Sequence, residues 1–168
     1  ETCQGRISFQ ENILMYKIFQ RISLLLGKEY TFFYLILFIA TISRFYNYSD
    51  WSFSHDELGA LVRLNYNSFA ELIRQGVQDQ DMHPAFTHLF LFIWTKFFGL
   101  SEAAVRFPFV LAGIGSVALL YLIAKKWFGF STACFASLTL AFLDFPILYS
   151  QLARPYSFGL FFLLLAVW

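Results

Sequence analysis

His55-Asp56-Glu57 sets three ionisable side chains in a row just beyond the first long apolar run of the chain. Such a triplet suits proton transfer, with one carboxylate as general base and its like-charged neighbour raising a pKa toward a useful range. Glu57 also has a structural reading. Ser54-His-Asp-Glu57 carries the spacing of a capping box, in which Ser and Glu each satisfy the other's backbone N–H at a helix start. Asp56 has no such duty, although any acid is favourable in a first helical turn. Further along, Asp81-Met-His83-Pro84 reads by itself as a helix start, with Asp81 as cap and Pro84 at the first position. Arg106, in Ser-Glu-Ala-Ala-Val-Arg-Phe-Pro, and Arg154, followed by Pro155 and Tyr156, lie at the ends of apolar runs. An arginine fork fits phosphate oxygens; the plainer reading is a long side chain reaching from an apolar surface to water. Asp144 lies within an apolar run, where a carboxylate costs about 2.5–3.5 kcal/mol at the centre of a membrane helix. It is either a buried polar contact or a site residue.

Metal chemistry has little support in the spacing. His83 and His88 are five residues apart, about 140° around a helix, and Cys3 and Cys134 form no CxxC pair. No metal is expected from these patterns, although Asp56 and Glu57 leave room for a divalent ion completed by other ligands.

The elements that must position these groups are apolar. The chain has 168 residues, 58% hydrophobic, 21% aromatic and 14% charged, against roughly 45–50% apolar and about 25% charged for soluble domains. That composition excludes a disordered chain, a basic nucleic-acid binder and a disulfide scaffold. The expected fold is all-α: a polytopic transmembrane helix bundle with an extracytoplasmic loop of short juxtamembrane helices. Residues 1–29 form a cytoplasmic tail, with Met15 a candidate start that would set 1–14 apart. Residues 30–46 form the first span, short against the usual ~20 residues. Lys17, Arg21 and Lys28 precede it, which places the N-terminus in the cytoplasm.

Residues 47–101 form the outer loop, with a second capping box at Ser68-Phe-Ala-Glu71 and a stop at Gly76. Within it, Pro84 to Leu100 is apolar but carries His88 and Lys96. An interfacial placement puts Lys125 and Lys126 on the cytoplasmic side, as the positive-inside rule prefers. Residues 102–168 hold spans at Val105 to Ala124 and Phe130 to Tyr149, and the start of another at Tyr156. Ala133, Ser137 and Ala141 give one span a small-residue packing face, and Gly113-Ile-Gly115 reads as helix packing. The chain ends at Trp168 inside an apolar run and reads as the N-terminal fragment of a longer protein, expected to be inactive by itself.

Taken in order, the Asp-Glu loop, His83-Pro84, FGLSEAAVRFP, YLIAKKWFG and YSQLARPYSFGLFF resemble the N-terminal part of GT-C membrane glycosyltransferases. The most similar group is the bacterial relatives of dolichyl-phosphate-mannose protein mannosyltransferases and of lipid A aminoarabinose transferases. The resemblance implies inverting transfer of a hexose from a polyprenyl-phosphate-linked sugar to a protein, lipid or polysaccharide acceptor, at the outer face of a bacterial inner membrane. It implies Asp56 as the catalytic acid of the first loop and Glu57 as its neighbour. His83, Arg106, Arg154 and Tyr156 fall toward the lipid phosphate. A lipid phosphate is already a good leaving group, so one base and several cations suffice. Relatives with an acidic residue near the Arg-Pro motif differ from this chain, which has Leu152 and Tyr156 there. The rival expectation is a non-catalytic polytopic membrane protein, a transport subunit or scaffold.

Overall fold

The structure, a computed structural model, describes residues 27–62, 64, 68–74 and 85–168. The fold is all-α: eight helices and no strand among the described residues. They are α1 (Lys28–Phe45), α2 (His55–Val62), α3 (Phe69–Glu71), α4 (Ala85–Phe98), α5 (Glu102–Phe128), α6 (Phe130–Phe142), α7 (Asp144–Ser150) and α8 (Pro155–Val167). The chain divides into two units at Leu35. The first contributes the opening turns of α1 to the described residues, and the second carries everything discussed below.

α5 is the spine of the second unit. Among the described residues it alone is long and apolar enough to cross a bilayer as one helix. Ser101 caps its N-terminus, accepting the Ala104 N–H at 3.3 Å. Pro108 lies inside it and cannot donate to the carbonyl four residues earlier, Ala104. The Trp94 indole N–H of α4 takes that vacant acceptor at 2.8 Å, so the helix defect becomes the docking point of α4. Trp94→Phe should therefore lower stability by about 0.5–1.5 kcal/mol, the net worth of an ordinary hydrogen bond, since this one is part-buried. In a Pro108→Ala background, where a backbone N–H is restored, the same substitution should cost much less. Thermal unfolding of the full chain in detergent measures both.

α6 buries Ala133, Ser137 and Ala141, the small-residue stripe read from the sequence, and it packs along α5. Gly113 and Gly115 serve helix packing, as their setting predicts. A Cβ on Gly113 would stand 2.6 Å from Ser150 Cβ, and one on Gly115 would stand 2.7 Å from the Phe161 ring. The segment expected as a span from Phe130 to Tyr149 forms two apolar helices, α6 and α7, with a break between them. The chain turns extended at Leu143 and bends by 62° between α6 and α7. Pro146 explains the break, because it has no N–H to offer the Phe142 carbonyl. Asp144 thereby becomes an exposed first-turn residue of α7, where an acid complements the helix dipole.

A broken helix leaves carbonyls without partners, and α1 supplies them. Arg44 Nη2 donates to Leu140 O at 2.9 Å, and Nη1 reaches Ala141 O at 3.5 Å. The exchange is mutual: Gln151 Nε2, just after α7, donates to Arg44 O and Tyr46 O at 3.0 and 2.9 Å, capping the end of α1.

The elements between α1 and α5 rest on a core of Leu91, Val105, Phe109, Ala112, Ala153 and Phe158. Phe53, Leu61 and Leu64 pack onto it from the loop. The segment expected to follow Ser68 is short: α3 spans Phe69–Glu71, with the Glu71 N–H donating to Ser68 Oγ at 3.2 Å. The expected stop at Gly76 lies outside the described residues.

Candidate active site

The Ser54–Glu57 capping box forms as its spacing predicts. Ser54 N–H donates to Glu57 Oε2 at 2.9 Å, and Glu57 N–H donates to Ser54 Oγ at 3.3 Å. The box is one corner of a larger knot. Glu57 is fully buried and pairs with Arg106 through two bonds, Nε to Oε1 at 2.9 Å and Nη2 to Oε2 at 2.8 Å. The rest of the guanidinium donates to Tyr48 O, Trp51 O and Ser52 O at 2.9–3.1 Å. All five N–H donors of an arginine are thus engaged, with the aromatic faces of Trp51 and Phe53 flanking the cation at 5.3 and 5.4 Å. Glu57 Oε1 also accepts the Ala153 N–H at 3.0 Å.

This arrangement gives both residues partners that the sequence did not reveal. Arg106 has no donor left and no exposed surface. Both oxygens of Glu57 accept hydrogen bonds. Together they clamp three segments into one: the loop after α1, the N-terminus of α5 and the link before α8. Sequence reasoning placed both residues at the outer face but missed their pairing, which spans 49 positions.

Burial by itself would raise the Glu57 carboxyl above its ordinary 4.5. The bonds from Arg106 and from the Ala153 and Ser54 N–H groups, with the guanidinium charge, bring it below that value. The folded state therefore favours the ionised form. Its contribution is fully present above the ordinary carboxylate value and is lost as pH falls through the lowered folded value. The stability advantage of the wild type over Glu57→Gln should accordingly shrink as pH drops below 4.5; thermal unfolding across acidic pH checks this.

Asp56 is the contrast. It occupies the same helix turn as Glu57, about 100° around the axis, is exposed, and its side chain makes no hydrogen bond or ion pair with the described residues. His55 is exposed beside it. Arg154 stands directly before α8 in extended conformation, 9% exposed, with Nε buried and without a hydrogen-bond partner. A cation at a helix N-terminus opposes the dipole, so capping does not account for it. The Glu57–Ala153 hydrogen bond brings the neighbours of Asp56 and Arg154 to within 3.0 Å. Tyr156, half exposed, meets Tyr149 edge-on at 4.6 Å between ring centres. His83 lies outside the described residues, as do Asp81 and Pro84. Among the described residues, no three His, Cys, Asp or Glu side chains gather where one metal ion could be held.

Comparison with known proteins places these features in a family. Residues 82–168, just over half of the chain, match the family described as dolichyl-phosphate-mannose-protein mannosyltransferase. The matched segment contains Arg106, Arg154 and Tyr156, whereas Asp56 and Glu57 precede it. The chain is also 35% identical over 85 residues to "Putative mannosyltransferase YkcB" of Bacillus subtilis. That alignment covers 51% of this chain and 12% of the relative, so the chain spans a small part of the relative's length. No solved structure matches the chain. By the extent of the family match, the chain belongs to the dolichyl-phosphate-mannose-protein mannosyltransferase family.

Proposed function

We propose that this chain forms the N-terminal catalytic part of a multi-pass membrane glycosyltransferase. It moves a hexose from a polyprenyl-phosphate carrier to a protein, lipid or polysaccharide hydroxyl at the outer face of the membrane. The N-terminus is cytoplasmic, α1, α5 and the broken pair α6–α7 are spans, and residues 47–101 form the outer loop with α4 along the interface. In the reaction, Asp56 accepts the proton of the acceptor hydroxyl. The acceptor oxygen attacks the anomeric carbon from the face opposite the phosphate. The sugar–oxygen bond to phosphate breaks, inverting the carbon and releasing polyprenyl phosphate. Arg154, with Tyr156 and His83, receives the departing negative charge.

The observation that carries this reading is the division of labour around one buried ion pair. Glu57 and Arg106 are consumed in holding the loop, while Asp56 and Arg154, one residue away from either end of the Glu57–Ala153 bond, remain uncommitted. A carboxylate and a cation held apart by a rigid clamp is the pairing that inverting transfer from a phosphate requires. Glu57 and Arg106 are then positioning residues. The test is transfer of radiolabel from defined polyprenyl-phosphate sugars by membranes holding the full-length protein of which this chain is a part. Transfer that requires Asp56 supports the reading; a full-length protein that transfers no sugar from any such carrier opposes it.

A further inference from the structure

The loop between α1 and α2 forms an open cleft with the end of α7. Its volume is about 400 Å³, within the roughly 300–1,000 Å³ of small-ligand sites. Its walls include Tyr46, Asn47, Asp50, Trp51, Ile147 and Gln151. The polar side chains among them keep hydrogen-bonding capacity that the fold does not use. Asp50 is exposed, and its carboxylate makes no hydrogen bond or ion pair with the described residues. The Asn47 amide and the Tyr46 hydroxyl are exposed and equally uncommitted. Gln151 uses its Nε2 on the carbonyls of Arg44 and Tyr46, which anchors the side chain and leaves Oε1 as an acceptor.

These groups are presented from a held backbone. Asn47 has φ +52°, a left-handed conformation that Asn adopts more readily than most residues, and the turn closes with Asp50 N–H donating to Asn47 O at 3.4 Å. Arg106 binds the Tyr48 and Trp51 carbonyls at 3.0 and 2.9 Å. Its guanidinium also stands 5.3 Å from the centre of the Trp51 ring, yet that ring is 40% exposed. A rigid, accessible indole thus stands beside a carboxylate, two amides and a phenol.

The chemistry of this set selects its ligand. A lone carboxylate repels phosphate, and a plain hydrocarbon would strip water from several polar groups without replacing it. Carboxylates accept from hydroxyls, and amides both donate to them and accept from them; a flat indole packs against a face of C–H bonds. A pyranose carries both on one small body, with hydroxyls around its rim and C–H groups on a face. The position of the cleft fits the same ligand. Its walls come from the two segments that the Glu57–Arg106 clamp ties together, with Asp56 five residues after Trp51 and Arg154 three after Gln151.

We infer that this cleft binds a neutral sugar residue of the acceptor, so that the acceptor is a saccharide-bearing molecule. The assignment to the acceptor rests on the function proposed above, whereas the sugar site itself rests on the cleft.

The experiment is saturation-transfer NMR on the full-length protein, in a detergent without a sugar head group. Mannotriose, maltotriose and galactotriose are the probes, and sorbitol is the polyol without a ring. At least one trisaccharide should bind, and sorbitol should not. Asp50→Ala combined with Asn47→Gly removes both side-chain groups and keeps the turn. It should weaken that binding about ten- to a hundredfold, the range of a lost charge-assisted hydrogen bond. Its unfolding temperature should stay near that of the wild type, because neither side chain has a partner in the fold. In sugar transfer the same variant should raise KM for an acceptor bearing the bound sugar and leave KM for the polyprenyl-phosphate sugar unchanged. Binding of none of the three trisaccharides, equal binding of sorbitol, or binding unchanged in the variant overturns the sugar site. A raised donor KM with an unchanged acceptor KM overturns its assignment to the acceptor. Asp56→Asn should end transfer and leave trisaccharide binding as it was, so the two readings fail separately.

Discussion

Asp56→Asn in the full-length protein is expected to reduce sugar transfer by about 10²–10⁴-fold, the contribution of a positioned general base, with folding and membrane insertion intact. The second half of that expectation comes from the structure. The Asp56 side chain is exposed and makes no hydrogen bond or ion pair with the described residues, so an amide of the same shape disturbs nothing in the fold. Asn can still accept a hydrogen bond from the acceptor hydroxyl but cannot take its proton. Loss should therefore appear in the rate at saturating acceptor more than in acceptor affinity. A variant that transfers sugar at the wild-type rate would falsify the base assignment, whatever its structure.

The second large effect is at the clamp. Arg106→Met leaves the Glu57 carboxylate buried and unpaired, and it strands the Tyr48, Trp51 and Ser52 carbonyls. Breaking one side of a buried pair costs about 3–5 kcal/mol, enough to consume much of the stability of an ordinary domain. Arg106→Lys should recover little of it, because an ammonium cannot hold two carboxylate oxygens and three carbonyls in one plane. Glu57→Gln with Arg106→Met should be less damaging than the two single losses summed, since neither partner is then left as a lone buried charge. Thermal unfolding of the four proteins gives the coupling directly. Had Arg106 served a substrate phosphate instead, Arg106→Met would weaken donor binding while leaving the unfolding temperature near that of the wild type.

What could be read from the sequence follows the range of the interactions. The Ser54–Glu57 box is complete within four residues, and the stripe of Ala133, Ser137 and Ala141 repeats along one helix, so local spacing reveals both. The Pro108 defect is local as well, but its cure by Trp94 is not, because it depends on how α4 crosses α5. Arg106 shows the limit most clearly. A lone arginine near the end of an apolar run has the same sequence signature whether it reaches water, holds a phosphate or closes a buried ion pair 49 positions away. Only the fold separates those cases. The break at Leu143 did have a signal, Pro146 three residues after it. Continuous hydrophobicity masked it, because hydropathy reports composition and says nothing of which carbonyls lose their donors. The candidate site divides the same way: Asp56 was legible as an acid with no structural duty, whereas the duty of Glu57 exceeded its cap.

The exchange of caps between α1 and the α6–α7 break also bears on the order in which the molecule is made. The carbonyls freed at the break find Arg44 about a hundred residues upstream, in a helix that has left the ribosome long before α6 is complete. An α6–α7 segment arriving in an apolar surrounding without α1 would carry bare carbonyls, which such surroundings do not tolerate. α1 thus already carries, when α6 and α7 are made, the donors that the bend requires. Gln151 in turn supplies donors to the end of α1, so each segment completes the hydrogen bonding of the other.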